Sequence, residues 1–334
     1  MSTILVTGAI GFIGYHLTKK LLKAGHDVIG VDNVNSYYDP TLKEDRLADI
    51  VKSSGDAGRL HFYRIDITDG ESLHQLFAEY SPSHVVNLAA QAGVRYSIEA
   101  PQEYIDTNVT GFQNILDACK THGVEHLLYA SSSSVYGNDK NIPFSSESPV
   151  DHPVSMYAAT KRMNELMAHV YSHMYGLKTS GLRFFTVYGP WGRPDMAPMK
   201  FAMALSEGRP IDVYNHGEHW RDFTYVDDIV NGITGLLDKP PVPGNATSPD
   251  RAHAPFRVYN IGAQTPVHLL SFIECMEKHM GVEAKKNMLP MQQGDVERTF
   301  ADVQPLTEVT GYSPSVPLDA GVEAFVHWFK DYYK

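Results

Sequence analysis

Tyr157 and Lys161 stand four residues apart in the string Tyr157-Ala-Ala-Thr-Lys161. In a helix that spacing puts a phenol and an ammonium on one face. A neighbouring ammonium favours the phenolate, so Tyr157 could take a proton from an alcohol near neutral pH. The chain also opens with an apolar run leading into Gly8-x-x-Gly11-x-x-Gly14. A strand, a glycine turn and a helix start in that order hold a dinucleotide pyrophosphate against a helix N-terminus. A dinucleotide that accepts hydride and a base that accepts the matching proton make an alcohol-oxidising site. Ser131-Ser-Ser-Ser-Val-Tyr-Gly137 precedes the tyrosine. It ends a predicted strand, where a hydroxyl can share a hydrogen bond with the alcohol and Tyr157.

The elements that must position these groups follow from hydrophobic periodicity. Strands are predicted over 4–7, 28–32, 60–65, 84–88, 126–131 and 179–185. Helices are predicted over 12–24, 71–80, 103–123 and 156–175, with a polar helical insertion over 37–51 and a loop over 55–58. Short apolar strands alternating with amphipathic helices imply an α/β fold, a Rossmann-type doubly wound parallel sheet covered on both faces. The pattern loosens after Val187. A short helix over 199–207, a short strand over 211–214, a Pro/Gly-rich loop over 240–255 and helices over 267–280 and 318–334 suggest a smaller C-terminal α/β substrate lobe. The expected division is a dinucleotide-binding domain over 1–185, completed by about 221–262, with 186–334 mainly the second lobe.

The cofactor set extends from the glycines to Phe12 and Ile13 at the helix start. Asp32 ends the second strand, where a carboxylate accepts hydrogen bonds from the adenosine ribose and repels a 2′-phosphate. Asn33 follows, where an NADP enzyme would prefer Arg, so NAD is favoured. Asp66 and Ile67 end the third strand, the usual place for an adenine contact. Leu88, Ala89, Ala90 and Gln91 end the fourth with small residues that let backbone approach the cofactor. Ser131 and Phe184, at the ends of the fifth and sixth strands, complete the set. Asn108, inside a predicted helix, either braces the adjacent strand or touches the cofactor, and is counted with that set. Ile10 is bulkier than the small residue expected in such a turn. Tyr136 is read as structural.

Composition narrows the class. Twenty-eight basic against 39 acidic residues give a net charge of −11. That charge argues against non-specific nucleic-acid binding, which needs a basic footprint. Cys119 and Cys275 are the only cysteines and lie far apart. They indicate neither a disulfide framework nor a zinc site, and are expected to be buried thiols. The histidines show no metal spacing, so no metal is expected. No run reaches the roughly 18 apolar residues of a membrane span, and no leader pattern precedes the first strand. A cytoplasmic protein without a membrane partner is expected.

Together these residues resemble the extended short-chain dehydrogenase/reductase family of nucleotide-sugar enzymes, over essentially the whole chain. The resemblance rests on Gly8–Gly14, Ala89–Ser97, Ser131–Gly137, Tyr157 with Lys161, Arg183–Pro190, Arg221–Asp228 and Gly294-Asp295. The strings Asp32–Asp39 and Gly192–Ala197 are most similar to its UDP-glucuronate 4-epimerases. Dehydratases of this family carry Asp and Glu at the two positions before Val-Tyr-Gly, and decarboxylases carry Glu just before it. Ser133 and Ser134 stand there in this chain. Without a carboxylic acid the site cannot easily protonate a leaving hydroxyl. The resemblance therefore implies NAD-dependent C4 epimerisation of a UDP-uronic acid, UDP-glucuronate to UDP-galacturonate, through a transient 4-keto sugar.

Roles follow from the same resemblance. Tyr157, Lys161 and Ser132 form the catalytic group, with Lys161 also able to bind the nicotinamide ribose. Thr186 and Arg193, with the Ser133 and Ser134 hydroxyls, would hold the sugar carboxylate. Arg221 would meet the pyrophosphate, Asp295 the ribose and Tyr214 the uracil. Arg95 lines the family's cleft, and Gln292 stands where relatives often place an Arg. The helices over 103–123 and 156–175 resemble those that pair two copies into a homodimer. Two rival readings stay open: a 4-epimerase of UDP-glucose or UDP-N-acetylglucosamine, and a non-catalytic NAD-binding scaffold.

Overall fold

Apolar strands read as a buried parallel sheet because both their faces must leave water. The computed structural model describes residues 1–53, 59–243, 253–292 and 295–333. Its strands are β1 Thr3–Thr7, β2 Asp27–Val31, β3 Leu60–Tyr63, β4 His84–Asn87, β5 His126–Ser132, β6 Thr179–Phe184, β7 Thr186–Tyr188, β8 Ile211–Val213, β9 Trp220–Tyr225, β10 Phe256–Ile261, β11 Pro266–His268 and β12 Lys286–Met288. Its helices are α1 Phe12–Lys23, α2 Thr41–Ser53, α3 Gly70–Tyr80, α4 Tyr96–Glu99, α5 Pro101–Tyr104, α6 Phe112–Thr121, α7 Met156–Tyr175, α8 Ala197–Ser206, α9 Val226–Leu236, α10 Leu269–Met280, α11 Gln304–Thr310 and α12 Leu318–Tyr332.

Seven parallel strands form the main sheet in the order β10-β6-β5-β4-β1-β2-β3. Alternate residues of one strand face opposite sides. Ile4 and Val6 join the core that includes Leu17, Leu21, Ile229 and Ile233 from α1 and α9. Leu5 joins the other, with Phe77, Phe112, Ile115 and Ala168 from α3, α6 and α7. A third core lies in the C-terminal lobe, where Phe201, Phe272 and Phe325 from α8, α10 and α12 surround Phe223 of β9. There β11, β9 and β7 form one small sheet, and β12 pairs with β8.

Differences from the periodicity have local causes. The helix expected over 103–123 is broken. A wide π-type segment, Ile105–Gly111, joins α5 to α6. Asn108 inside it is bonded to the Gln91 backbone, and a Cβ on Gly111 would stand 2.6 Å from Ile67. The insertion expected over 37–51 becomes helical only at Thr41, whose N–H is held by the Asp39 carboxylate at 2.9 Å. The helix expected from 267 begins at Leu269, because Pro266–His268 pairs antiparallel with β9. Strands β7, β9 and β10 and helix α9 have no counterpart in the periodicity reading. The loop expected over 55–58 lies outside the described residues, as does most of that over 240–255. Ile10 is accommodated with its side chain fully buried.

One buried ion pair fastens the helix that carries Tyr157. Glu165 of α7 meets Arg183 of β6 through two bonds, Nε to Oε1 at 2.8 Å and Nη2 to Oε2 at 2.9 Å. Arg183 Nη1 also donates to the Tyr136 hydroxyl, which donates to Asn260 of β10 at 2.7 Å. Burial pushes the Glu165 carboxyl up, but the Arg183 charge and hydrogen bonds outweigh it and hold the group ionised below its ordinary value. Removing one partner of such a pair leaves a buried lone charge. Glu165→Ala should therefore lose about 3–5 kcal/mol of stability in urea unfolding. A loss below about 1 kcal/mol would mean that the pair is not what fixes α7.

Candidate active site

A cleft of about 860 Å³ opens over the C-terminal ends of the parallel strands. A doubly wound sheet presents its ligand-facing loops at that edge. The cofactor end begins with the glycines. Gly8 has φ +66° and lies so near β4 that a Cβ would stand 2.9 Å from Ala89 N. A Cβ on Gly14 would stand 1.9 Å from the Gly8 carbonyl oxygen, and Gly11 N donates to that oxygen at 2.9 Å. Gly11 starts α1 without a side-chain cap, and the first turn holds no acidic residue. The positive end of the helix therefore meets the cleft at Gly11, Phe12, Ile13 and Gly14 without an internal counter-charge.

Asp32 is buried, and its Oδ1 accepts from Val34 N at 2.8 Å and from Lys43 Nζ at 3.3 Å. Both bonds are to Oδ1. Asn33 Nδ2 donates to Asp66 Oδ2 at 2.7 Å, and Thr68 N donates to Asp66 Oδ1 at 2.8 Å. Burial pushes the Asp66 carboxyl up, but these bonds prevail and keep it below its ordinary value. Ile67, Leu88, Ala89, Ala90, Gln91 and Phe184 line the same wall. Gln91 Nε2 is buried beside the Tyr104 hydroxyl. A glycine cradle that no Cβ could enter and a buried ribose-side carboxylate fit a dinucleotide.

Two cofactor candidates are placed differently. Asn108 is buried away from the cleft wall. Its Oδ1 accepts from Gln91 N at 2.8 Å, and its Nδ2 donates to Gln91 O and Thr160 Oγ1 at 3.0 Å each. Its reach is spent on bracing the segment after β4. Ser131 lines the cleft, but its hydroxyl turns inward to Glu165 Oε1 at 2.7 Å.

Ser155 caps α7, its hydroxyl accepting from Ala158 N, so Tyr157 sits in the first turn of the helix at the cleft. Ser132 ends β5 and caps the short turn Ser133–Tyr136 by accepting from Ser134 N at 3.1 Å. All three serines Ser132, Ser133 and Ser134 reach the cleft with Tyr157. The expectation that Lys161 makes the phenol acidic is corrected. Lys161 is buried and donates to Ala130 O at 2.9 Å, with its ammonium 5.9 Å from the Tyr157 ring centre. Burial alone pushes its pKa down to about 7. Burial raises the Tyr157 phenol above its ordinary value, while the Arg193 charge and the Ser132 hydroxyl pull it back and Asp195 raises it further. Desolvation at the foot of the helix outweighs the spacing argument.

The far end of the cleft gathers Thr186, Arg193, Tyr214, Arg221 and Asp295. Arg193 is bound to Asp195, Nε to Oδ1 at 3.0 Å and Nη2 to Oδ2 at 2.5 Å. The Arg95 guanidinium lies 4.9 Å over the Tyr214 ring, and its Nη2 is 3.4 Å from Asp295 Oδ2. Arg221 Nη1 donates to Glu297 O at 3.1 Å, and burial lowers its pKa against the opposing effect of Asp295. Gln292 does not line the cleft, and Gly294 lies outside the described residues.

Sequence reasoning passed over Lys43, Tyr37, Asp195 and His219, which also line the cleft. Lys43 and Asp195 were detectable as opposite charges near Asp32 and Arg193, but no periodicity ties them to a ligand. Cys119 is buried as expected, whereas Cys275 is half-buried. Cys275 stands with His279 and Asp319 on α10 and α12, the one group among the described residues with a metal-ligand donor set. Lys278 already lies 2.7 Å from that Asp319 carboxylate.

Known proteins resemble the chain over nearly its whole length. The NAD dependent epimerase/dehydratase family model matches residues 4–262. Protein CapI of Staphylococcus aureus is 52% identical over 336 residues, 99% of each chain. UDP-glucuronate 4-epimerase 1 of Arabidopsis thaliana is 43% identical over 99% of this chain and 77% of its own. The crystal structure of UDP-glucuronic acid 4-epimerase from Bacillus cereus, in complex with UDP-glucuronic acid and NAD, aligns with a TM-score of 0.88. It is 34% identical and the match covers 99% of this chain and 100% of that one.

The glycine cradle is directly testable. A Gly14→Ala methyl would be driven into the Gly8 carbonyl. It should weaken NAD binding at least about tenfold, about 1.4 kcal/mol, by calorimetry. An unchanged Kd would place the dinucleotide elsewhere.

Proposed function

The chain belongs to the NAD dependent epimerase/dehydratase family, and from that premise we infer that it is a UDP-glucuronate 4-epimerase. It interconverts UDP-glucuronate and UDP-galacturonate through a 4-keto sugar. The observation that carries this reading is the meeting of a phenol, three serine hydroxyls and a guanidinium in one cleft, at Tyr157, Ser132–Ser134 and Arg193. Bound NAD supplies the hydride acceptor and donor for C4.

The chain's own residues do the rest. Tyr157 takes the proton of the 4-hydroxyl and later returns it, a transfer that general-base catalysis requires within hydrogen-bond reach. Ser132, beside the phenol, steers that proton. Lys161, fixed on the Ala130 carbonyl, orients the nicotinamide ribose and braces the helix under the phenol. Ser133 and Ser134 offer no acid to a leaving hydroxyl, so the 4-keto sugar is reduced again rather than dehydrated. That intermediate is a β-keto acid and loses CO₂ when its carboxylate stands perpendicular to the ketone plane. Thr186, Arg193, Ser133 and Ser134 hold the carboxylate away from that angle. At the other end Arg221 meets the diphosphate, Asp295 the ribose and Tyr214 the uracil, after Arg95 leaves the ring it covers.

Residues 1–185, with return segments from 221–262, form the NAD-binding unit, and 186–334 mainly the nucleotide-sugar lobe. The supporting feature is β10, which extends the main sheet beside β6. A homodimer is the working assembly. Met163, Leu166, Val170 and Met174 run down one face of α7 at 40%, 52%, 52% and 64% exposure. A helical apolar stripe of that kind marks an interaction face. Both cysteines are free, as suits a reducing compartment; the protein works in the cytoplasm. Among the described residues no helix is long and apolar enough to cross a membrane.

The test is product analysis by NMR with UDP-glucuronate, UDP-glucose and UDP-N-acetylglucosamine, for the native chain and Arg193→Met. Native protein should form UDP-galacturonate from the first. Arg193→Met should raise the KM for UDP-glucuronate at least about tenfold or increase the pentose fraction. Its loss should also move the acid limb of kcat/KM to higher pH, because the Arg193 charge is what pulls the Tyr157 phenol down. Turnover of the neutral sugars alone, or of none, would overturn the assignment.

A further inference from the structure

We propose that Asp195 is the positioning residue for uronate recognition, holding Arg193 by one edge so that its remaining N–H groups face the sugar carboxylate. This rests on the reading that Arg193 meets that carboxylate.

A guanidinium has five N–H donors in a rigid plane. Asp195 takes the Nε–Nη2 edge, with Oδ1 at 3.0 Å and Oδ2 at 2.5 Å. Among the described residues, no bond engages Nη1. The planar fork is therefore half used, and the free half is the one suited to a second, end-on carboxylate.

Asp195 is itself held. Tyr37 donates its hydroxyl to Asp195 Oδ2 at 3.2 Å. Tyr37 comes from the loop between β2 and α2, so the bond crosses the cleft from the NAD-binding sheet to the lobe. That phenol has little freedom. A Cβ on Gly93 would stand 2.5 Å from its oxygen, and the Tyr96 ring lies 5.2 Å away, centre to centre. The pair is closed at its base by the turn in which Met196 N donates to Arg193 O at 3.1 Å.

The pair lies on the cleft wall, each partner 23% exposed, and its two parallel bonds fix the plane of the guanidinium. A carboxylate facing an incoming anion also repels it. Orientation accounts for its presence. With Asp195 in place the pair is neutral, so the cleft selects a carboxylate by the shape of the fork rather than by a bare positive charge. The two members also act oppositely on Tyr157, Arg193 lowering and Asp195 raising its phenol.

The experiment uses the full chain with NAD and compares the native protein with Asp195→Asn, Tyr37→Phe and Arg193→Met. The readouts are kcat and KM for UDP-glucuronate, inhibition constants of UDP and UDP-glucose, and the pentose fraction by NMR. Asn keeps the shape but turns a donor toward Nη2. Asp195→Asn should raise the KM at least about tenfold and increase the pentose fraction, with both inhibition constants unchanged. Tyr37→Phe, which removes one hydroxyl, should move the same quantities in the same direction by less. If Arg193→Met raises the KM while both other variants stay within about twofold of native in KM and product ratio, the proposal fails and the uronate reading stands. If Arg193→Met also leaves them unchanged, the underlying reading fails. Equal weakening of UDP and UDP-glucose would show that Asp195 shapes the cleft generally, which also overturns the proposal.

Discussion

Three side chains one helical turn apart on α7, Tyr157, Lys161 and Glu165, all face the sheet, and the desolvation of that stripe governs the site. Glu165 stays ionised because Arg183 and Ser131 meet it in the core. Lys161 is pressed against the Ala130 carbonyl, and burial moves its pKa to about 7. Tyr157, at the cleft end, has its phenol raised by the same burial. One low-dielectric contact therefore fixes the helix, softens the ammonium and sets the base. The placement of Tyr157 in the cleft depends on α7 keeping its place over β5 and β6.

The charges at the sugar end extend that logic. Arg193 is the positive group that pulls the Tyr157 phenol down, and Asp195 pushes it up. A site that must first accept and then return a proton works best when neither form of its base is strongly trapped. Serines where related enzymes carry acids keep further protons away from the sugar. Epimerisation in this cleft is thus as much a matter of groups left out as of groups supplied.

Much of this was readable from residues alone because backbone constraints leave strong marks. Gly8, Gly11 and Gly14 are needed where a Cβ would strike a carbonyl or the neighbouring strand. The first six strands announce themselves as short apolar runs, since a parallel sheet buries both faces. Other features leave no such mark. Asn108 suits a strand brace better than a cofactor contact, but its sequence position does not exclude the second, and the π-type segment at Ile105–Gly111 aims it at the Gln91 backbone. Strands β9 and β10 follow irregular segments and carry charged and polar residues such as Arg221, Asp222, Arg257 and Asn260 among their apolar ones, so periodicity marks them weakly. Lys161 misled because helical spacing reports which groups share a face, not which way burial shifts them. The Arg193–Asp195–Tyr37 chain joins positions 158 residues apart, a distance over which spacing carries no information.

The central claim is that the Tyr157 hydroxyl moves the proton of the sugar's 4-hydroxyl. The most direct test is the rate of UDP-galacturonate formation by Tyr157→Phe, with NAD content and UDP-glucuronate affinity measured on the same preparation. The account predicts intact binding of both and a rate at least about 100-fold lower, the scale of a lost general base. A fully loaded variant that turns over at the native rate would contradict it.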